Sequence, residues 1–146
     1  MKWHKRYLDL AEHISTWSKD PSTKCGAVIV GKAQQILSVG YNGFPRGIDD
    51  HELRLNDRKF KYELMVHAEM NAIFNAAKSG ICLEGTEIYV HGLPMCSECA
   101  KSIIQAGIVG VIMRNYQNTD KGERWKSSCQ NARSMLNEAG VGVTII

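Results

Sequence analysis

The sequence has no apolar run long enough to span a bilayer, and its first residues, Met1-Lys2-Trp3-His4-Lys5-Arg6, lack the apolar stretch of a signal peptide. It also lacks internal repeats, low-complexity tracts and linkers. Its charge excess is small, a formal net charge of +3, which suits an anionic small molecule but does not by itself predict a nucleic-acid binder. We therefore expect a protein of the reducing cytoplasm, whose five cysteines are thiols or metal ligands rather than disulfides.

The length and the hydrophobic pattern predict one α/β domain over residues 1–146. The composition, 44% hydrophobic and 23% charged, is ordinary for a globular protein. Apolar spacing predicts helices near 3–17, 67–79, 96–106 and 125–139, and strands at 25–30, 36–41, 87–91, 109–113 and 141–145. This α-β-β-α-β-α-β-α-β order predicts one mixed five-stranded sheet with helices on its faces. Residues 42–61 are predicted to form a long polar loop of the kind that is functional or mobile.

Two short segments concentrate residues able to bind a metal. His67-Ala68-Glu69 begins the second predicted helix, and Pro94-Met95-Cys96-Ser97-Glu98-Cys99 begins the third. Cysteines three apart on a helix share a face, and a helix N-terminus stabilises the thiolate form that binds metal. With His67 they make a Cys₂His set, the three protein ligands expected of a catalytic zinc whose fourth position holds water.

Glu69 is the candidate proton carrier of such a site. Two thiolates offset the charge of the ion, so its water needs a nearby base. Residues two apart on an ideal helix diverge by about 200°, so His67 and Glu69 can converge only if His67 stands at the N-terminal edge of the helix. There, the Glu69 carboxylate could take a proton from water and return it to a substrate nitrogen.

Each motif alone has a simpler interpretation. A CxxC pair can be incidental packing, and a histidine near a helix start is commonly a hydrogen-bonded structural residue. A structural zinc would normally have a fourth protein ligand. The remaining cysteines, Cys25, Cys82 and Cys129, are interpreted as small buried hydrophobes. HxE, a strand and then PxCxxC, each motif at a helix start, together match the zinc deaminase signature.

At these motifs the chain resembles the cytidine and deoxycytidylate deaminase superfamily, and the resemblance covers nearly its whole length. The matching segments are 20–30, 40–47, 67–73 and 99–108. The zinc motifs are shared across the superfamily, whereas the Gly40-Tyr41-Asn42-Gly43-Phe44-Pro45-Arg46-Gly47 loop favours the deoxycytidylate branch. The resemblance implies a three-layer α/β/α cytidine deaminase-like fold and hydrolytic deamination of dCMP to dUMP and ammonia. It implies one Zn²⁺ per chain on His67, Cys96 and Cys99, water attack at C4, and proton transfer to N3 by Glu69.

The same resemblance implies roles for residues outside the zinc motifs. Asn42 would contact the sugar hydroxyl, the backbone at Ala68 the base carbonyl, and Tyr116 the side of the base. Lys24 and Arg46 are the phosphate candidates because each stands beside a segment that should border the pocket. Gly43 and Lys78 are candidates for a regulatory or phosphate contact. Relatives of this kind bind a regulatory deoxynucleoside triphosphate, with which Mg²⁺ can be bound, and form homo-oligomers such as dimers or hexamers.

Several alternatives stay open at the sequence level. The substrate could instead be dCTP, a free nucleoside or a base in nucleic acid, although an editing enzyme should be more basic and carry aromatic platforms. A non-enzymatic zinc module would have no need of Glu69. The chain also departs from the family pattern at Met95, where proline is usual, and at Lys78, where several relatives have arginine.

Overall fold

The computed structural model describes residues 1–115 and 120–146, and within the second range the side chains from 126 onward. In chain order the elements are α1 (Lys2–Ser15), β1 (Gly26–Val30), β2 (Ile36–Tyr41), α2 (Glu52–Asn56), α3 (Arg58–Leu64), α4 (Ala68–Lys78), β3 (Glu87–His91), α5 (Ser97–Gln105), β4 (Gly110–Met113), α6 (Asp120–Glu138) and β5 (Gly142–Ile145). None of the helices in the described part of the chain combines the length and apolarity needed to cross a membrane.

The five strands form one mixed sheet in the order β2-β1-β3-β4-β5. β1 is antiparallel to both β2 and β3, while β4 is parallel to β3 and to β5. The parallel pairs are joined through α5 and α6, as parallel connections require. The predicted mixed five-stranded sheet is confirmed, and the predicted strands agree with the observed ones to within one residue.

Helices cover both faces of the sheet, which gives the predicted three-layer α/β/α arrangement. In β1, Val28 and Val30 pack with α1 on one face, whereas Ala27 and Ile29 belong to the larger core that contains α4, α5 and α6. This division follows from the two-residue period of a strand, which sends successive side chains to opposite faces. Strand β1 is buried at every position because it has a helix layer on each side.

The prediction of one long loop over residues 42–61 is wrong for its second half, which forms the short helices α2 and α3. His51 accepts a hydrogen bond from the Leu53 amide and Asp57 accepts one from the Phe60 amide, so each helix has a side-chain cap at its N-terminus. The two helices have five and seven residues, too few to display a helical period in a mixed-charge sequence.

The cysteine predictions have a mixed outcome. Cys25 is buried and Cys129 is half-buried, but Cys82 is exposed, which contradicts its interpretation as a core residue. Cys82 lies in the segment that connects α4 to β3, outside both elements. The described cysteines form no disulfide.

Helix α4 is fastened to the edge strand β2 by side-chain hydrogen bonds to backbone carbonyls. The amides of Asn71 and Asn75 donate to Tyr41 and Val39, respectively, and the Ser38 hydroxyl donates to the Ala72 carbonyl. The approach depends on a glycine, because a Cβ at Gly40 would lie 2.3 Å from the Ala72 nitrogen and 2.4 Å from the Ala68 oxygen.

We expect Gly40→Ala to lower the free energy of unfolding by about 1–3 kcal/mol, since an extra methyl group would force α4 away from the sheet. Denaturant unfolding followed by circular dichroism measures this change. Gly43→Ala is the matched control, because a Cβ at Gly43 would meet nothing within 4 Å. Equal stability of the two variants would contradict the expectation.

The sheet brings three chain segments to one end. Gly26 at the start of β1 pairs with Tyr41 at the end of β2 and with His91 at the end of β3. The residues that precede β1, follow β2 and follow β3 therefore meet at this end. Helices α4 and α5 begin there as well, which places their N-termini beside those segments.

Candidate metal centre and pocket

The three predicted metal ligands come together at two helix starts. His67 is the N-cap of α4 and has extended backbone angles, while Cys96 is the N-cap of α5. The His67 Nδ1 atom lies 3.4 Å from the sulfur of Cys96 and 3.4 Å from that of Cys99. The predicted position of His67 at the N-terminal edge of its helix is confirmed, and it allows His67 and Glu69 to reach the same pocket.

The spacing of these atoms fits a tetrahedral metal. Their ligand atoms all lie within 4.8 Å of one another. Zinc bonds of about 2.3 Å to sulfur and about 2.0–2.1 Å to nitrogen, at tetrahedral angles, would place a sulfur and a nitrogen about 3.5 Å apart. The observed separations of 3.4 Å match that value. Two sulfurs and one imidazole are also the donor types that suit zinc, so the residues present fit a three-ligand zinc site.

Hydrogen bonds and burial shift the pKa values of the three residues in the cluster. The pKa of Cys96 is lowered to about 4 because the Cys99 thiol and the His67 ring hydrogen-bond to its sulfur. The pKa of Cys99 is raised because its thiol donates to Cys96 and is buried. The hydrogen bond to Cys96 raises the pKa of His67. These contacts favour the thiolate form of Cys96, the form that binds metal.

Glu69 lies beside this cluster and is only 5% exposed. Its pKa is raised, chiefly because burial removes the carboxylate from water, although the neighbouring His67 acts in the opposite direction. A raised pKa makes a buried carboxylate a stronger base than an exposed one, so it accepts a proton from water more readily, and the protonated group can then act as the acid. This is the property required of a proton carrier.

The cluster opens into a pocket of about 590 Å³, within the roughly 300–1,000 Å³ typical of small-molecule sites. His67, Ala68, Glu69 and Cys96 line it from the starts of α4 and α5. The residues that line it from the segments around β1, β2, α2 and α3 include Asp20, Asn42, Leu55, Arg58, Lys61 and Tyr62.

A buried ion pair supports one wall of this pocket. Lys61 Nζ lies 3.1 Å from Asp20 Oδ1, and the two side chains are 9% and 6% exposed. Asp20 also accepts hydrogen bonds from the Ser22 and Thr23 amides and from the Asn42 side chain. Asp20 therefore joins α3, the segment before β1 and the residue after β2.

Asn42 is held in place by three further contacts. Its side-chain oxygen accepts from the Cys25 amide, its side-chain nitrogen donates to the Thr23 carbonyl, and its own carbonyl accepts from Ser18. Asn42 is buried and lines the pocket. Its orientation is therefore fixed by the fold.

The other predicted contact residues have different positions. Ala68 lines the pocket, but Lys24 and Arg46 are exposed and are not among its lining residues, although Lys24 lies between the lining residues Thr23 and Cys25. Arg46 instead donates to the side chain of Asn75 on α4.

The regulatory candidates lie apart from the pocket lining. Gly43 pairs with Val66 in an isolated bridge, and Lys78 is exposed at the end of α4. Tyr116 lies outside the described residues. The unusual Met95 is buried in the core.

Sequence reasoning did not identify Asp20, Arg58, Lys61 or Tyr62 as pocket residues. Asp20 begins the segment 20–30 that resembles the family, but no pocket role was assigned to it. Arg58 and Lys61 lie in the region that was predicted to be a loop, and Tyr62 follows it directly. The available signal was proximity to a motif, since α3 ends three residues before His67.

Comparison with known proteins agrees with this geometry. Residues 1–115 match the family model of the cytidine and deoxycytidylate deaminase zinc-binding region. The chain belongs to this family of zinc-binding deaminases.

Its relatives include proteins that match nearly the whole of this chain. An uncharacterized deaminase in the luxG 3' region of Aliivibrio fischeri is 44% identical, over 98% of this chain and 92% of that protein. Human deoxycytidylate deaminase is 38% identical, over 97% of this chain and 78% of that one. The crystal structure of dCMP deaminase from cyanophage S-TIM5, in complex with dCMP and dUMP, superposes with a TM-score of 0.74 at 30% identity, covering 97% of this chain and 95% of that chain.

Proposed function

We propose that this protein hydrolyses the 4-amino group of dCMP, giving dUMP and ammonia. The observation that carries the proposal is a buried carboxylate, Glu69, beside a His67–Cys96–Cys99 cluster at the floor of a pocket of small-molecule size. The similarity to human deoxycytidylate deaminase and to the phage enzyme bound to dCMP supports this nucleotide as the substrate.

In the proposed reaction His67, Cys96 and Cys99 hold one zinc ion. When bound, zinc supplies Lewis-acid chemistry that lowers the pKa of water in the site. Glu69 accepts the proton of the water that attacks C4 and delivers it to N3 of the ring. Glu69 then takes the remaining proton from the hydroxyl group now on C4 and transfers it to the departing amino group, so that the C4–N bond breaks, ammonia leaves and the carbonyl of dUMP forms.

The pocket wall would orient the nucleotide. We propose that Asn42 contacts the sugar hydroxyl and that the backbone at Ala68 contacts the base carbonyl; both residues line the pocket. The fixed orientation of Asn42 supports its role, because a polar group held by the fold needs no reordering when it binds. Phosphate contacts by Lys24 and Arg46, and a contact between the base and Tyr116, stay predictions.

The regulatory and cellular predictions belong to the same proposal. We expect residues 1–146 to act as one deaminase domain, in the cytoplasm, as a homo-oligomer such as a dimer or hexamer. A deoxynucleoside triphosphate effector, accompanied by Mg²⁺, would use the Gly43 region and Lys78. Nucleic acid is not the expected substrate, because a net charge of +3 is a weak attraction for a polyanion.

A substrate panel tests the proposal. We expect zinc-loaded protein to release ammonia from dCMP far faster than from deoxycytidine, dCTP or a cytosine-containing oligonucleotide. Lys24→Gln and Arg46→Gln test the two phosphate candidates from the sequence, since either variant would reduce the preference for dCMP only where the residue it changes contacts the phosphate. Equal turnover of dCMP and deoxycytidine would refute the nucleotide assignment, and zinc content without any ammonia release would favour a structural zinc module.

A further inference from the structure

The pocket has a buried floor and an exposed rim. At the floor, Glu69 is 5% exposed and Cys96 is 7% exposed. Among the lining residues contributed by α3, Tyr62 is 47% exposed and Arg58 is also exposed. A cytosine ring that reacts at the floor would therefore direct the rest of the molecule toward the exposed rim, to which α3 contributes Arg58 and Tyr62.

Arg58 and Lys61 are the arginine and lysine residues that line the described pocket. They are three positions apart on α3, so they lie on one face of this helix. The charge of Lys61 is offset by Asp20, with which it forms the buried ion pair. Asp20 and Lys61 together contribute no net charge to the wall.

Arg58 is the cation that remains. Within the described residues its side chain forms neither an ion pair nor a hydrogen bond, and its guanidinium lies 5.5 Å from the centre of the Tyr62 ring. A guanidinium stacked on an aromatic ring keeps all its N–H donors available at the ring's edge. Those donors form a planar fork that matches two oxygens of a phosphate group.

We propose that Arg58 binds the terminal phosphate of a nucleoside 5′-monophosphate whose base occupies the floor of the pocket. This inference rests on the proposed function and specifies which residue selects a nucleotide over a nucleoside. Lys61, held by Asp20, sets the position of α3 and so of Arg58. The bond is a charge-assisted hydrogen bond between a guanidinium and a phosphate, and no chemical step takes place at Arg58.

The test compares Arg58→Gln with wild type on two substrates that differ only in the phosphate. We expect the ratio of kcat/KM for dCMP to that for deoxycytidine to fall about tenfold to a hundredfold, the value of a charged hydrogen bond to phosphate. Arg58→Lys keeps the charge but loses the planar fork. Its dCMP-to-deoxycytidine ratio should therefore lie between that of wild type and that of Arg58→Gln. Lys59→Gln is the matched control, because it removes the same charge from an exposed neighbour outside the pocket lining, and its ratio should stay at the wild-type value.

A binding measurement gives a readout that does not depend on turnover. Calorimetry with dUMP and deoxyuridine should show that the ratio of the two Kd values shrinks by the same factor in Arg58→Gln. An Arg58→Gln variant that prefers dCMP over deoxycytidine and dUMP over deoxyuridine as strongly as wild type would overturn the assignment of Arg58 while leaving the proposed function intact.

A wild-type protein without any preference for dCMP over deoxycytidine would overturn the proposed function itself. Turnover of an oligonucleotide above that of dCMP, weakened by Arg58→Gln, would assign Arg58 to nucleic acid and so overturn the monophosphate site.

Discussion

Glu69→Gln should lower the turnover of dCMP by roughly a hundredfold or more. Glutamine has nearly the size of glutamate but cannot accept a proton from water at neutral pH. Glu69 is buried beside the His67–Cys96–Cys99 cluster, and the other carboxylate in the described pocket lining, Asp20, is held in its ion pair with Lys61, so it does not replace Glu69. Ammonia release under saturating substrate measures the effect.

Two controls distinguish the loss of proton transfer from other causes of lower activity. Zinc content should remain at one ion per chain in Glu69→Gln, since none of the three proposed ligands is changed. Glu98→Gln removes an exposed carboxylate within the CxxC segment, where Glu98 pairs with Lys101, and it should leave turnover near the wild-type rate. If Glu69→Gln turned over substrate at a comparable rate, another group would have to carry the proton.

Cys96→Ala should abolish both zinc binding and activity. Two remaining protein ligands make a poor zinc site, and the His67–Cys99 pair would lack the sulfur that is most readily a thiolate. Elemental analysis of freshly purified protein, alongside the ammonia assay, measures the loss. The exposed Cys82 provides the matched control, because Cys82→Ala removes a thiol that lies outside the cluster.

Cys96 also has a structural role that the experiment must separate. Its sulfur accepts a hydrogen bond from the Cys99 amide as the N-cap of α5, and loss of a cap costs about 0.5–2 kcal/mol. Cys96→Ser keeps a capping oxygen and nearly the same volume, so it should retain more stability than Cys96→Ala but still lose zinc. Full zinc content in either folded variant, or full activity of the wild type in chelator, would show that the metal assignment is wrong.

The elements that sequence reasoning located correctly are those with a strong local pattern. Strands β2 and β3 were placed at their observed residues because apolar and β-branched residues there are bounded by turns. The starts of α4 and α5 were located from the HxE and CxxC motifs, whose residues require the N-terminal edge of a helix. These local signals were enough to predict the metal cluster and Glu69.

The pocket wall could not be predicted in the same way, since its contacts join residues that are far apart in the sequence. Asp20 and Lys61 are separated by 41 positions, and nothing local indicates that their charges are buried together. Helices α2 and α3 are shorter than the windows in which a helical period becomes visible. The phosphate candidates Lys24 and Arg46 were therefore chosen by proximity in sequence, whereas the structure turns Arg58 and Lys61 toward the cavity.

The central position of β1 has a consequence for how the protein folds. This strand lies between β2 and β3, although it precedes both in the chain. The pocket takes residues from before β1, after β2 and after β3, so no short segment of the chain contains its walls, which extend from Asp20 to Cys96. Its formation depends on long-range strand pairing, which is among the slower events of folding. The catalytic cavity thus has no local folding unit of its own, and its walls cannot come together before β1 has paired with β2 and β3.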